Sequence, residues 1–209
     1  MESYCWMLNP QKFLSRDEAA VLLATAKERS EQADLKRQAV AVRDYLIVHL
    51  ALTTGLRVME IAALNCGDIV LDGWVSSLFV RCGKGSRCRQ VLFSGAIMNH
   101  LVEYMNWKQR QGESTAPDQP LLVSSYSGSY MTTRAIQKAF KRCAGRAHLA
   151  KYYSIHCLRH TYACFLLKAS NWNLRFVQKQ LGHSRIATTQ IYADILMPDV
   201  KKALDRLSI

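Results

Sequence analysis

Six residues have side-chain types and spacing suited to work on a phosphate group: Arg57, Lys84, His156, Arg159, His183 and Tyr192. His156 and Arg159 stand three apart near a helix start. They therefore project from one face, with Cβ atoms about 5–6 Å apart, and both can reach one phosphate. Leu181-Gly182-His183 begins a helix-turn element, and nine residues later Tyr192 ends a short helix in a stretch without carboxylates. Arg57 lies in Thr54-Gly-Leu-Arg-Val-Met-Glu60, where Glu60 follows one turn later and shares its face. Lys84 occupies the tip of an expected hairpin, Gly83-Lys84-Gly85. The whole is a set of cationic and imidazole groups around a tyrosine.

Other chemistries lack their residues. Gly83-Lys84-Gly85 is not a P-loop, because no Ser or Thr follows the lysine, nor a dinucleotide fingerprint, because Cys88 stands where the third glycine belongs. A two-metal nuclease needs clustered carboxylates, and none stands out, so no metal and no other cofactor is expected. The charge balance points the same way. The net charge is +12, but residues 1–118 and 194–209 are nearly neutral, and the 75 residues from Gln119 to Ala193 hold 11 basic groups and no Asp or Glu. A partner with dense negative charge is the first expectation.

At 209 residues with 49% hydrophobic content, the chain can bury a full core and is not a disordered basic tail. Its longest apolar run, Leu46 to Leu52, is too short to span a bilayer, and no secretion signal opens it. No membrane role is expected, and a cytoplasmic location is. Seven cysteines without a C-x-x-C pair suggest reduced thiols. Cys82 and Cys88 flank the hairpin and could face each other, which leaves a bridge or a zinc site there as the alternative.

The elements that must hold these groups are mostly helical. Ser15-Arg-Asp-Glu18 reads as a capping box opening a helix to about Arg29. A polar stretch, Ser30 to Arg37, leads to a second helix over Ala39 to Thr53, which Gly55 ends, and helical periodicity resumes over Arg57 to Leu64. Three strands follow, at Ile69-Val-Leu, Trp74 to Val80 and Arg89 to Phe93. Further helices are expected at Ile97–Arg110, Thr133–Arg146, Ser154–Lys168, Asn173–Gln180, Ser184–Ala187, Thr188–Ala193 and Asp199–Leu207. The fold class is mainly α with a small three-stranded antiparallel β-sheet.

Taken together, Thr54-Gly-Leu-Arg57-Val-Met-Glu60-Ile, Gly83-Lys84-Gly85 with Arg87 and Arg89, His156-Cys-Leu-Arg159-His160-Thr, and Leu181-Gly-His183 followed by Thr188-Thr-Gln-Ile-Tyr192 resemble the tyrosine recombinase (phage integrase) family. The motifs appear in the family's order and cover roughly residues 15–197. The resemblance implies the catalytic-domain fold of that family and site-specific DNA integration, excision or inversion. Tyr192 would attack a phosphodiester to give a 3′-phosphotyrosyl link and a free 5′-hydroxyl, and a partner strand's hydroxyl would then reseal the DNA. Arg57, Arg159 and His183 would donate to the non-bridging oxygens, and the guanidinium cluster would favour the tyrosine anion. His156 would take the proton, and Lys84 would be the general acid for the 5′-oxygen. Glu60 would orient the arginine side, and His160 would pack behind the site. The bond energy stays in the phosphotyrosine, so neither ATP nor an essential metal is required.

Arg87 and Arg89 on the hairpin are expected to contact backbone phosphates, and Arg134, Lys138 and Arg142, spaced along one helix, are the candidates for a groove face. The expected partner is double-stranded DNA, with a homo-tetramer assembling on it from a monomer in solution and DNA-bending accessory proteins assisting. Residues 1–14 read as an N-terminal arm, 15–197 as the catalytic domain and 198–209 as a C-terminal helix. Most relatives carry a further DNA-binding domain before the catalytic one. A short recombinase resembling the fimbrial phase-switch enzymes is expected, against a fragment or a protein that borrows a partner's domain. The stripe Val200, Leu204, Leu207 could dock on a neighbouring protomer or fold back on its own domain. Relaxation of DNA in the manner of type IB topoisomerases, and a catalytically silent DNA-binding regulator, are the competing readings.

Overall fold

The computed structural model describes residues 13–35, 38–71, 76–81 and 88–196. In chain order these form α1 (Arg16–Leu35), α2 (Ala39–Thr54), α3 (Val58–Ala62), β1 (Ile69–Val70), β2 (Ser77–Val80), β3 (Arg89–Leu92), α4 (Gly95–Arg110), α5 (Thr133–Arg146), α6 (Ile155–Ala169), α7 (Leu174–Leu181) and α8 (Ala187–Leu196). A single 3-10 turn at Cys66–Asp68 leads into β1. The sheet is antiparallel in the order β1-β2-β3, with Leu78 opposite Ile69 on one side and Val91 on the other. A mainly helical protein with one small three-stranded sheet is therefore what the chain forms.

α2 is the hub. Its sequence is apolar on nearly every side, as a helix enclosed by others requires, and it packs against α1, α4, α5 and α6. Leu46, Ile47, Val48 and Leu50 are fully buried there and centre the main core, which Ile97, Leu101, Ile136, Phe140 and Leu158 complete from the surrounding helices. Charge buried in this core is paired. Asp44 receives Arg29 at 2.9 Å and the fork of Arg142 at 2.6 and 2.8 Å, and Lys108 donates to Glu113 and to the Pro120 carbonyl. A smaller core beneath α8 joins Tyr162, Ala163, Leu167, Val177, Leu181 and Tyr192.

The helix ends follow their sequence signals. Ser15 and Glu18 cap α1 reciprocally, at 2.8 and 3.1 Å. The Asn173 side chain accepts from Phe176 N at the start of α7. α2 stops at Gly55, whose φ of 62° suits glycine; a Cβ there would lie 2.3 Å from the Tyr162 ring.

Three local expectations change. α1 runs through the stretch expected to be a polar linker, because Ala26, Ser30 and Ala33 are buried at helical spacing and only their small size hid the stripe. The two short helices expected over Ser184–Ala193 are one helix, α8, preceded by a turn. Cys66, Cys143, Cys157 and Cys164 are free thiols, whereas Cys88 is disulfide-bonded. Among the described residues, no helix is long and apolar enough to cross a membrane. Residues 1–12, Cys82 and the expected C-terminal helix with Val200, Leu204 and Leu207 lie outside the described residues.

Candidate active site

The site assembles where the end of α2, the starts of α3 and β3, the first turns of α6, and the turn between α7 and α8 meet. Arg57 immediately precedes α3, and its backbone N–H and guanidinium donate to the two oxygens of Glu60 at 2.7 and 3.0 Å. The Arg57 side chain remains 45% exposed, so it also faces solvent. Glu60 takes a second arginine: Arg89 at the start of β3 grips it with both terminal nitrogens, at 2.7 and 2.9 Å. Burial alone would raise the Glu60 pKa, but the hydrogen bonds from Arg89 and Arg57 and their charges bring it down to about 2. The carboxylate is thus ionised at neutral pH and holds two guanidinium groups.

Arg159 projects inward from α6 and is 7% exposed. One terminal nitrogen donates to the Gly55 carbonyl; the other donates to the Leu181 carbonyl at 2.8 Å and to His183 Nε2 at 3.0 Å. All three acceptors are formally neutral, so the positive charge is held but not cancelled. Burial and then the charge of Arg57 lower its pKa to about 10, which leaves it cationic at neutral pH. His183 follows Gly182, whose φ of 66° turns the chain after α7. Burial, followed by the charges of Arg159, Arg57, Arg89 and His160, draws the His183 pKa down to about 4, so the ring is neutral. Its Nδ1 lies 2.9 Å from the hydroxyl of Thr189 on α8.

Tyr192 sits three residues beyond Thr189, is 3% exposed, and stacks near His183 with the ring planes 13° apart. Its hydroxyl is 2.9 Å from His160 Nδ1. The guanidinium groups were expected to favour the phenolate, but burial outweighs Arg159 and Arg57 and moves the pKa up to about 12. In this arrangement Tyr192 is a neutral phenol beside a histidine.

The fold therefore brings together Arg57, Glu60, Arg159, His160, His183 and Tyr192, though 135 positions separate the first from the last. His156 lies on the same helix but is exposed at its first turn, and His160 holds the place beside the tyrosine. Arg89 is committed to Glu60 and to the Gln180 carbonyl, and Arg142 to Asp44, in place of the expected presentation to phosphates. Arg134 and Lys138 are exposed on α5. Lys84 and Arg87 lie outside the described residues. The sequence reading missed the carbonyls of Gly55 and Leu181, which carry no side-chain signal, and Thr189, whose i+3 relation to Tyr192 was the available clue. Among the described residues no group of three or more His, Cys, Asp and Glu side chains could hold a metal ion.

Known proteins resemble this chain over most of its length. The model of the family described as "Phage integrase family" matches residues 12–198. Tyrosine recombinase XerC of Neisseria meningitidis serogroup B (strain ATCC BAA-335 / MC58) is 36% identical over 167 residues, which is 79% of this chain and 52% of that protein. Tyrosine recombinase XerC of Xylella fastidiosa (strain 9a5c) is 35% identical over 166 residues, covering 79% of this chain and 53% of the relative. The chain thus spans about half the length of the curated relatives it matches. Among solved structures, XerA recombinase superposes with a TM-score of 0.71 and 30% identity, over 93% of this chain and 63% of the other. XerH site-specific recombinase bound to its difH substrate gives a TM-score of 0.70 at 22% identity, over 95% of this chain and 53% of the other, which is a likeness of fold.

Proposed function

Because the chain belongs to the phage integrase family, we propose that it is the catalytic part of a site-specific tyrosine recombinase, cutting and rejoining double-stranded DNA through Tyr192. The observation that carries this reading is the convergence of Arg159, held by three neutral acceptors, with His183 and the Tyr192 phenol in one buried site. A phosphodiester placed against Arg57 and Arg159 would gain charge-assisted hydrogen bonds that strengthen as negative charge grows on its non-bridging oxygens. Tyr192 attacks phosphorus, the 3′-phosphotyrosyl bond forms and the 5′-oxygen leaves, taking a proton from Lys84. The phenol's proton passes to a histidine, and His160 stands nearest to it. The reverse attack by a 5′-hydroxyl restores the phosphodiester and the tyrosine, so the bond energy is conserved and neither ATP nor an essential metal is called for.

The partner is double-stranded DNA. XerH and lambda integrase are described in complexes with DNA, the latter as a dimer on a core site. For this chain we propose assembly of four copies on two sites, since a strand exchange requires four cuts, and a place with the nucleoid. The test is a nicked duplex carrying the sequence that this protein selects from a random DNA pool. The wild type is expected to trap a covalent 3′ adduct that Tyr192→Phe cannot form; an adduct with the phenylalanine variant removes the assignment. Relaxation of any supercoiled plasmid without recombinants would instead indicate topoisomerase action.

A further inference from the structure

We propose that Thr189, on the helix that carries Tyr192, is a positioning residue that fixes the tautomer of His183 and through it the orientation of Arg159. The inference rests on the reading of Tyr192 as the nucleophile for its consequence, but not for its geometry. A guanidinium nitrogen only donates. In the 3.0 Å contact between Arg159 and His183, Nε2 must therefore be the acceptor. The ring is neutral at pH 7, as its pKa of about 4 requires, and it carries a single proton. That proton is on Nδ1, which meets Thr189 Oγ1 at 2.9 Å. Thr189 accepts it in a fully buried position, where no water competes.

The hydrogen bond made at one imidazole nitrogen decides what the other can do. With Thr189 accepting at Nδ1, Nε2 keeps its lone pair and steadies Arg159 with the carbonyls of Gly55 and Leu181. In the opposite tautomer Nε2–H would face an Arg159 N–H, and the guanidinium would have to move. Thr189 and Tyr192 are three apart on α8 and share a face. The chain Arg159–His183–Thr189 thus sets the nucleophile's helix in register with the cation that would receive the phosphate. His183 in the free protein is an acceptor for Arg159, which differs from the expectation that it donates to a phosphate oxygen.

The test pairs histidine nitrogen NMR with adduct formation. In ¹⁵N-histidine-labelled protein at neutral pH, the resonances assigned to His183 by their loss in His183→Gln are expected to show a protonated Nδ1 and a bare Nε2. Thr189→Ser should preserve that pattern and cleave the pool-selected nicked duplex within about threefold of wild type. Thr189→Val should lose the pattern and form adduct about 10- to 100-fold more slowly, the scale of effect when a group supporting an active-site residue is removed, while binding the duplex equally well. Should Thr189→Val fail to fold, Thr189→Ala takes its place. A wild-type His183 protonated at Nε2, or a valine or alanine variant unchanged in tautomer or in rate, overturns the proposal. A wild type that shows the expected tautomer yet forms no adduct overturns the recombinase reading and leaves the Thr189–His183 pairing standing.

Discussion

His160 Nδ1 lies 2.9 Å from the Tyr192 hydroxyl, with the two rings 5.8 Å apart and inclined at 50°. His156, one turn earlier on α6, is exposed to solvent. The immediate partner of the phenol is the second histidine of His156-Cys-Leu-Arg159-His160. Replacing His160 by Phe keeps a ring against the small core but removes the nitrogen. We expect adduct formation to slow about 100-fold, the low end of what a positioned proton acceptor contributes, with DNA affinity unchanged in a filter-binding assay. An undiminished rate would return the proton to His156.

Glu60 gives a prediction in pH. Its folded pKa of about 2 is below the ordinary 4.5, so its contribution to stability is fully present above pH 4.5 and is lost as pH falls toward 2. That contribution amounts to at most about 3 kcal/mol. Urea denaturation at pH 5 and at pH 2.5 should show a drop in the wild type that Glu60→Gln, with no ionised state to lose, shows to a smaller extent.

Gly55 joins fold and site at one carbonyl. An alanine there would adopt a φ near 62° and set its Cβ against the buried Tyr162 ring. Gly55→Ala should cost about 2–4 kcal/mol in thermal or denaturant unfolding, combining left-handed backbone strain with overpacking. Because the same carbonyl accepts from Arg159, cleavage should fall further than the folded fraction does.

The basic residues of α5 divide into two kinds. Arg134→Ala and Lys138→Ala, at exposed positions, should each lower the slope of log affinity against log salt by about 1 on the DNA they contact. Arg142→Ala should leave that slope alone and instead reduce stability by about 1–2 kcal/mol, since its fork is bound to buried Asp44. A salt titration and an unfolding curve on the three variants separate the two kinds.

Much of this was legible from spacing. The Arg57–Glu60 pair follows from an i+3 relation, and the capping of α1 and the glycine stop of α2 follow from residue type. Spacing did not give depth. His156 and Arg159 share a face, yet one is exposed and the other is 7% exposed, because the ends of α2 and α7 cover Arg159 with the carbonyls of Gly55 and Leu181. Nor could a local pattern reveal partners brought together from afar: Arg89 finds Glu60 across 29 positions and Arg142 finds Asp44 across 98. Both arginines read as DNA contacts only while their carboxylates were out of view. Acid-free sequence between Gln119 and Ala193 suggested a site without negative charge, whereas Glu60 enters it from α3 and is neutralised by two arginines.

The carbonyls that hold Arg159 are not arbitrary ones. Gly55 closes α2 and Leu181 is the last residue of α7, so the negative ends of two helix dipoles converge on a single guanidinium. Each such end carries roughly half an elementary charge in partial form. Together they solvate a buried cation as water would, without supplying an ion to neutralise it. A carboxylate in that place would have compensated the charge before any phosphate arrived. Two helix termini keep the arginine comfortable in the interior while leaving its full formal charge for an incoming anion.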